Sequence, residues 1–252
     1  MQGIHFRNMP VVRLGVLVPS VNAIIEPDMY KMAPDGVTVH FERLVGPSAD
    51  RDPFSDREAL ARRFRQTGEY AVKAAQVLAI IEPKVIAFGF TSGSFYFGID
   101  YDKDLIKNIE ASTNIRAITT STAAVTALDE LGLKRICLIT PYPEHVTAKA
   151  REFLEASGFE VPVAEHLDIS PVDLHEQPPE VAYELAVAAY RKGCDGVFCS
   201  CTAFRTVEII DRVERELGVP MVSANQATMW LLLREAGVRK PIAGYGELLK
   251  HL

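Results

Sequence analysis

The sequence predicts an α/β protein of two pseudo-symmetric, Rossmann-like (flavodoxin-like) halves whose parallel sheets face a shared cleft. Two observations predict it. Apolar strand-type runs alternate with amphipathic helical patterns along the whole chain, which is the signature of a parallel sheet. The pattern also repeats: Arg13-Leu-Gly-Val-Leu-Val-Pro19 resembles Arg135-Ile-Cys-Leu-Ile-Thr-Pro141, and Val85 through Phe95 resembles Gly196 through Phe204. The offsets are 122 (135 − 13) and 111 (202 − 91), so the spacing is kept loosely. In open α/β sheets ligands collect beyond the carboxyl ends of the strands. The loops 19–22, 91–95, 141–145 and 201–206 all belong to that edge. In this repeat the residue matching Cys201 is Phe90.

Taken in order, residues 1–10 read as a loose leader, and Val11–Val18 as a strand ended by Pro19-Ser20-Val21-Asn22. A helix over about 23–32 carries Glu26 and Asp28 in its first turns, and Val37–Leu44 alternates as a strand. The polar loop 46–56 is long enough to act as a flap. A long amphipathic helix over 56–78 and a wholly apolar strand over 84–90 follow. The hydroxyl-rich turn Thr91-Ser92-Gly93-Ser94-Phe95 precedes a helix near 101–112. A strand at 116–119 leads into a helix over 122–131 with Ser121 as its N-cap, and a strand at 135–140 ends in Pro141-Tyr142-Pro143-Glu144-His145. Helix, strand and helix are expected at 144–156, 159–166 and 178–192, then the strand into Cys201, a helix to Leu217, a strand at 220–222 and a helix over 225–236. The expected division is an N-terminal half over 1–118, with 224–252 packing back on it, and a C-terminal half over 119–223 that carries Cys201.

Composition excludes several classes. With 252 residues, 48% hydrophobic and 24% charged, the chain can bury one large core or two smaller ones. A net charge of -6 with no Lys/Arg cluster gives no footprint for nucleic acid. The longest apolar runs, such as Val11–Pro19 and Val85–Phe90, are too short to span a bilayer. Residues 1–10 lack the basic-then-apolar layout of a secretion signal, so the expected location is the cytoplasm. Cys137, Cys194, Cys199 and Cys201 lie in the second half, and Cys-x-Cys is no zinc spacing without a second ligand pair. His145, His166 and His175 are too scattered to supply one, so no metal site is expected.

The chemistry-bearing stretch is Val197-Phe-Cys-Ser-Cys201-Thr202-Ala-Phe-Arg-Thr206, with Val207, Ile210 and Val213 at helical spacing after it. It predicts a buried strand delivering Cys201 to the first turn of a helix, where free N–H groups and the helix dipole stabilise a thiolate or an anion. The plainer reading is a small buried residue at a strand end. Cys199 points to packing, Cys137 and Cys194 to structural roles, Arg205 to a surface ion pair and His145 to a solvated first turn. Asn22 reads either as an ordinary Asx turn or as a ligand.

Five motifs in this order resemble the aspartate/glutamate racemase superfamily, in the branch of maleate cis-trans isomerases and arylmalonate decarboxylases. They are Pro19-Ser20-Val21-Asn22 with Glu26-Pro27, Thr91-Ser92-Gly93-Ser94, Thr140-Pro141-Tyr142, Ser200-Cys201-Thr202 and Ser223-Ala224-Asn225-Gln226. The resemblance implies an active-site cleft between the halves and no cofactor. It also implies a small carboxylate substrate bound by Pro19, Ser20, Asn22, Leu44, Phe90 and Thr202, with Thr91, Ser92, Tyr142 and Cys201 catalytic. Racemases and isomerases of the group carry one cysteine per half, and here Phe90 stands in the first place. The pattern that keeps the second cysteine alone is similar to the decarboxylases. The expectation is decarboxylation of a substituted malonate or similar dicarboxylate, the enediolate held by an oxyanion hole and protonated by Cys201. The alternatives are a maleate isomerase or Asp/Glu-type racemase, and a carboxylate-binding protein without catalysis. A homodimer or higher assembly is compatible with such a fold.

Overall fold

The computed structural model describes residues 11–45 and 56–252; the expected leader and nearly all of the expected flap lie outside the described residues. The repeat read from the sequence is realised as two parallel sheets of identical topology. The first runs β2(Val37–Leu44), β1(Val12–Pro19), β3(Val85–Phe88), β4(Arg116–Thr119). The second runs β6(Glu160–His166), β5(Arg135–Thr140), β7(Gly196–Cys199), β8(Met221–Ser223). Every pairing within them is parallel. The order 2-1-3-4 in each is the flavodoxin-like one, with its switch point between the first and third strands. β3 and β7 are buried at every residue, as strands covered by helices on both faces must be.

The helices are α1(Ile25–Met32), α2(Arg57–Ala79), α3(Thr91–Phe95), α4(Ile99–Thr113), α5(Thr120–Glu130), α6(Glu144–Ala156), α7(Pro179–Ala189), α8(Ile210–Leu217) and α9(Ala224–Glu235). Asp56 caps α2 by accepting from the N–H groups of Glu58 and Ala59. The buried residues Leu60, Phe64, Thr67, Ala71, Ala74, Ala75 and Leu78 recur every three or four positions along it, which lays α2 on the first sheet. Two local expectations are corrected. The 91–95 segment is a short helix, not a turn. Helix α5 starts two residues earlier than expected, because Thr119 at the strand end accepts the Thr122 N–H at 3.0 Å. That leaves Ser121 to bond the Ser94 hydroxyl instead of capping.

The halves meet along α5 and α9, which pack on each other. α9 follows the last strand of the second sheet yet lies against α1, β3 and β4 of the first. Residues 224–233 are buried on every side, Trp230 completely. Its buried polar residues Asn225, Gln226 and Thr228 each find a hydrogen-bond partner inside, as an interior helix requires. Its start is fixed by a reciprocal cap between Ser223 and Gln226. The seam nevertheless carries polar contacts, among them Thr228 Oγ1 to Thr120 Oγ1 at 3.2 Å and a buried amide–carboxyl pair. Asn225 Nδ2 donates to Asp28 Oδ2 at 2.8 Å, and Asp28 is only 1% exposed. Lys31 Nζ stands 3.6 Å from Asp28 Oδ1. Burial outweighs these partners and pushes the Asp28 carboxyl up to about 6.

A raised carboxyl favours the protonated folded state, so the stability this group confers is present below about pH 4 and lost as pH rises through about 6. Ionised, Asp28 costs the fold at most about 3 kcal/mol, from roughly two units at 1.36 kcal/mol each. Asn at this position does not titrate. The melting temperature of Asp28→Asn relative to the unsubstituted protein is therefore expected to rise between pH 4.5 and 7.5. A difference flat across that range rules out a titrating Asp28.

Candidate active site

The carboxyl ends of β1, β3, β5 and β7 deliver Pro19, the Phe90–Ser92 segment, Tyr142 and the Cys201–Thr202 segment to one edge of the two sheets. Cys201 is 3% exposed and lies two residues past the end of β7. The expectation of a helix first turn there is overturned, since α8 begins only at Ile210. The intervening chain turns back on itself, and the Ala203 N–H reaches Cys201 Sγ at 3.3 Å. The Thr202 side chain meanwhile points away into the other half. β-branched Thr202, Thr206 and Val207 also give a helix little support. The sulfur is held by a local backbone loop with no helix dipole behind it.

Tyr142, 4% exposed, hydrogen-bonds both Cys201 and Ser92 through its hydroxyl. Three of the four expected catalytic side chains thus form one chain, Ser92 to Tyr142 to Cys201. Burial pushes the Cys201 thiol up to about 11, against the pull of Tyr142 and the N–H groups of Ala203 and Phe204. Burial and the neighbouring sulfur likewise hold the Tyr142 phenol well above its usual range. Of the two opposing influences on a strand-end thiol, burial wins, and Cys201 is a protonated thiol at neutral pH. Cys199 is fully buried beneath it, a packing residue as expected.

Thr91 opens α3, and its carbonyl accepts from Ser94 Oγ at 2.9 Å and Ser121 Oγ at 3.4 Å. Its own hydroxyl is buried without a partner, as is that of Ser200. Both residues, with Ser121, Ala124 and Phe198, line a cavity of about 10 Å³. That is room for about one water. Phe90 is half-buried, its ring edge-on to Phe64 of α2 at 5.1 Å and tilted on Phe88 at 6.0 Å. Gly93 makes that seat possible, because a Cβ there would meet the Phe90 ring at 2.4 Å.

Asn22 does two things. Its Oδ1 accepts from the N–H groups of Ile24 and Ile25, the Asx turn that starts α1, and its Nδ2 donates to Thr202 Oγ1 at 3.0 Å. Thr202 Oγ1 donates in turn to the Gly89 carbonyl at 3.0 Å. Pro19 and Leu44 are paired in register at the ends of β1 and β2, and both are buried. Ser20 is exposed on the rim. His145, expected to be solvated, is half-buried with Nε2 unpartnered, and burial lowers its basicity. Arg205 makes the surface ion pair expected of it, with Glu208 at 2.9 Å. The buried pair Asp28 and Asn225 was not anticipated as part of this region. The only sequence signal was Asn225 within the Ser223–Gln226 motif, and nothing marked its partner 197 positions away. No group of three His, Cys, Asp or Glu side chains able to hold a metal occurs among the described residues, and no helix among them is long and apolar enough to cross a membrane.

Comparison with known proteins bears on the family and the fold. A sequence model of the family described as arylmalonate decarboxylase matches residues 14–249. The arylmalonate decarboxylase of Bordetella bronchiseptica is 32% identical over 245 residues, covering 93% of this chain and 95% of that one. The maleate isomerase of Alcaligenes faecalis is 25% identical over 257 residues, covering 96% and 97%. In fold, the chain superposes on a crystal structure of a maleate isomerase variant from Pseudomonas putida S16 with maleate. The TM-score is 0.86 at 21% identity, over 96% of this chain and 98% of that one. Two sheets of one topology, a single strand-end thiol bonded to a buried tyrosine, and a family match spanning nearly the whole sequence lead to one conclusion: the chain belongs to the arylmalonate decarboxylase family of enzymes.

Proposed function

We propose that the protein decarboxylates a substituted malonate or similar small dicarboxylate without a cofactor, and that Cys201 delivers the proton. The observation that carries the reading is a buried strand-end thiol hydrogen-bonded by Tyr142, with Phe90 and not a second cysteine at the matching strand end of the other half. A two-base racemase needs a donor and an acceptor on opposite faces of one carbon, and Phe90 is neither.

One substrate carboxylate lies against Thr91, Ser92 and the N–H groups of Cys201 and Thr202. The other lies in the apolar part of the pocket, near Phe90, Pro19 and Leu44. Its bond to the central carbon breaks, CO₂ leaves, and the electron pair spreads into the remaining carboxylate as an enediolate. Donors aimed at that growing charge are each worth about 3 kcal/mol, by analogy with oxyanion holes. Thr91 is the donor in reserve, since its buried hydroxyl is not committed elsewhere. The Cys201 S–H then gives its proton to the carbon from one face. The thiolate left behind is held by the Tyr142 O–H and the Ala203 N–H until a solvent proton restores it.

The first test incubates the protein with phenylmalonate, methylphenylmalonate and maleate in D₂O, following CO₂ and proton NMR. The expected result is CO₂ release with deuterium entering at the α-carbon. Cys201→Ala is expected to lower the rate by roughly 10²- to 10⁴-fold, the usual range for a positioned general acid. Maleate turning into fumarate without CO₂ overturns the reading. Because the thiol must be protonated to act, kcat should be level from pH 7 to 9 and fall as pH approaches about 11. A thiolate nucleophile would give the opposite, a rate climbing about tenfold per pH unit over that range. Thr91→Val is expected to lower kcat by about 10²-fold. Its melting temperature should hold, since the hydroxyl has no hydrogen bond to lose.

A further inference from the structure

The peptide unit joining Thr202 to Ala203 is gripped at both ends. Its N–H donates to Cys201 Sγ at 3.3 Å, and its carbonyl accepts from Asn225 Nδ2 at 3.1 Å. The same Nδ2 donates its second hydrogen to Asp28 Oδ2 at 2.8 Å. We propose that Asn225 is a positioning residue for the reaction: it holds the Thr202–Ala203 peptide so that the Ala203 N–H stays aimed at the Cys201 sulfur, and the Asp28 carboxylate fixes which way its amide faces. The inference rests on the reading of Cys201 as the reactive group.

The orientation follows from donor and acceptor chemistry. A carboxylate and a peptide carbonyl are both acceptors only. A flipped amide would set its oxygen against two oxygens, so the pair admits one orientation of Asn225. The cost is visible, because Asn225 Oδ1 is buried without a partner. An orphaned buried oxygen calls for an explanation, and here the amide nitrogen is required in two places at once. The result is a continuous line of hydrogen bonds from Asp28 through Asn225 and the peptide to Sγ, in which the bond to the Thr202 carbonyl polarises the peptide and strengthens the Ala203 N–H as a donor. Thr202 is tied separately through its side chain to Asn22 and Gly89, so the Asn225 contact acts on the peptide itself. The charged groups acting on Asp28 are Lys31 on its own helix and, ahead of α8, Glu208. Lys31 and Arg205 both pair with Glu208. The Asp28 carboxyl is pushed by burial to about 6, so it is ionised at neutral pH and acts there as an acceptor.

Without Asn225 the peptide is released, the Ala203 N–H loses its aim, and the Cys201 thiolate loses a donor. The test is the rate at which iodoacetamide alkylates Cys201 at pH 9, followed by mass spectrometry of the peptide carrying it. Cys137, Cys194 and Cys199 are also free thiols, so the readout must resolve each. Asn225→Ala is expected to slow alkylation by about tenfold, equivalent to raising the thiol by about one pH unit. Kcat should fall with KM nearly unchanged on any substrate that is turned over. Asp28→Asn carries the test if Asn225→Ala does not fold. It is isosteric, but its own N–H lets the Asn225 amide flip, so slowing in the same direction and of smaller size is expected. Alkylation unchanged or faster in the folded variants overturns the inference. Alkylation needs no substrate, which separates the two readings. Slowed alkylation in a protein inert to malonates supports the positioning role and removes the decarboxylase reading. Malonate turnover with unmoved alkylation does the reverse.

Discussion

The cleft depends on one threonine. Thr202 sits next to Cys201 in the second half, and its hydroxyl accepts from Asn22 and donates to the Gly89 carbonyl of the first. Both first-half partners lie just past strand ends, Asn22 beyond β1 and Gly89 beyond β3. The hydroxyl therefore sets the distance between the two strand-end loops that hold Cys201 and Phe90–Ser92. A buried hydroxyl with both its donor and acceptor roles filled leaves little freedom for the loops to slide. The fully interior α9 supplies bulk to the same seam.

The electrostatics of the site follow from that closure. Loops drawn together exclude water, and desolvation is the largest influence on both Cys201 and Tyr142. A helix terminus at the sulfur would have favoured the thiolate. Here only the Ala203 and Phe204 N–H groups and Tyr142 favour the thiolate, and burial outweighs them and keeps the thiol protonated. The same closure makes Asp28 expensive. It is ionised at neutral pH in a place that disfavours charge, a pattern common where a site's geometry is maintained at the expense of stability.

Much of this was legible in the sequence because the repeat is written in residues that a parallel sheet demands. Arg13–Pro19 and Arg135–Thr140 became β1 and β5, each the second strand of its sheet, and Phe90 and Cys201 fell at matching strand ends. Grouping Tyr142, Ser92 and Cys201 was possible for the same reason, since strand-end loops share an edge. What failed was local. The apolar spacing of Val207, Ile210 and Val213 is helical, but it describes the face of α8 and says nothing of where the helix starts. Thr202 directs the preceding chain by a contact with residues more than a hundred positions away. The Thr91–Phe95 segment looked like a turn because of its glycine and hydroxyls, yet the Ser94 and Tyr96 N–H groups close helical bonds onto the Phe90 and Ser92 carbonyls. Asp28 and Asn225 each look like ordinary helix residues, and only folding makes them a pair.

The seating of Phe90 reaches beyond this chain's own activity. Its ring occupies space shared with Phe64, Phe88 and the bare backbone of Gly93. Replacing it with a cysteine would add a second thiol at the strand end that matches that of Cys201, and it would also empty the volume of an aromatic ring beside a residue with no side chain. In this chain a second thiol at position 90 would therefore change the packing as well as the chemistry. Refilling that volume would fall to position 93 or to α2, so the residue at 90 and its aromatic neighbours are coupled through packing.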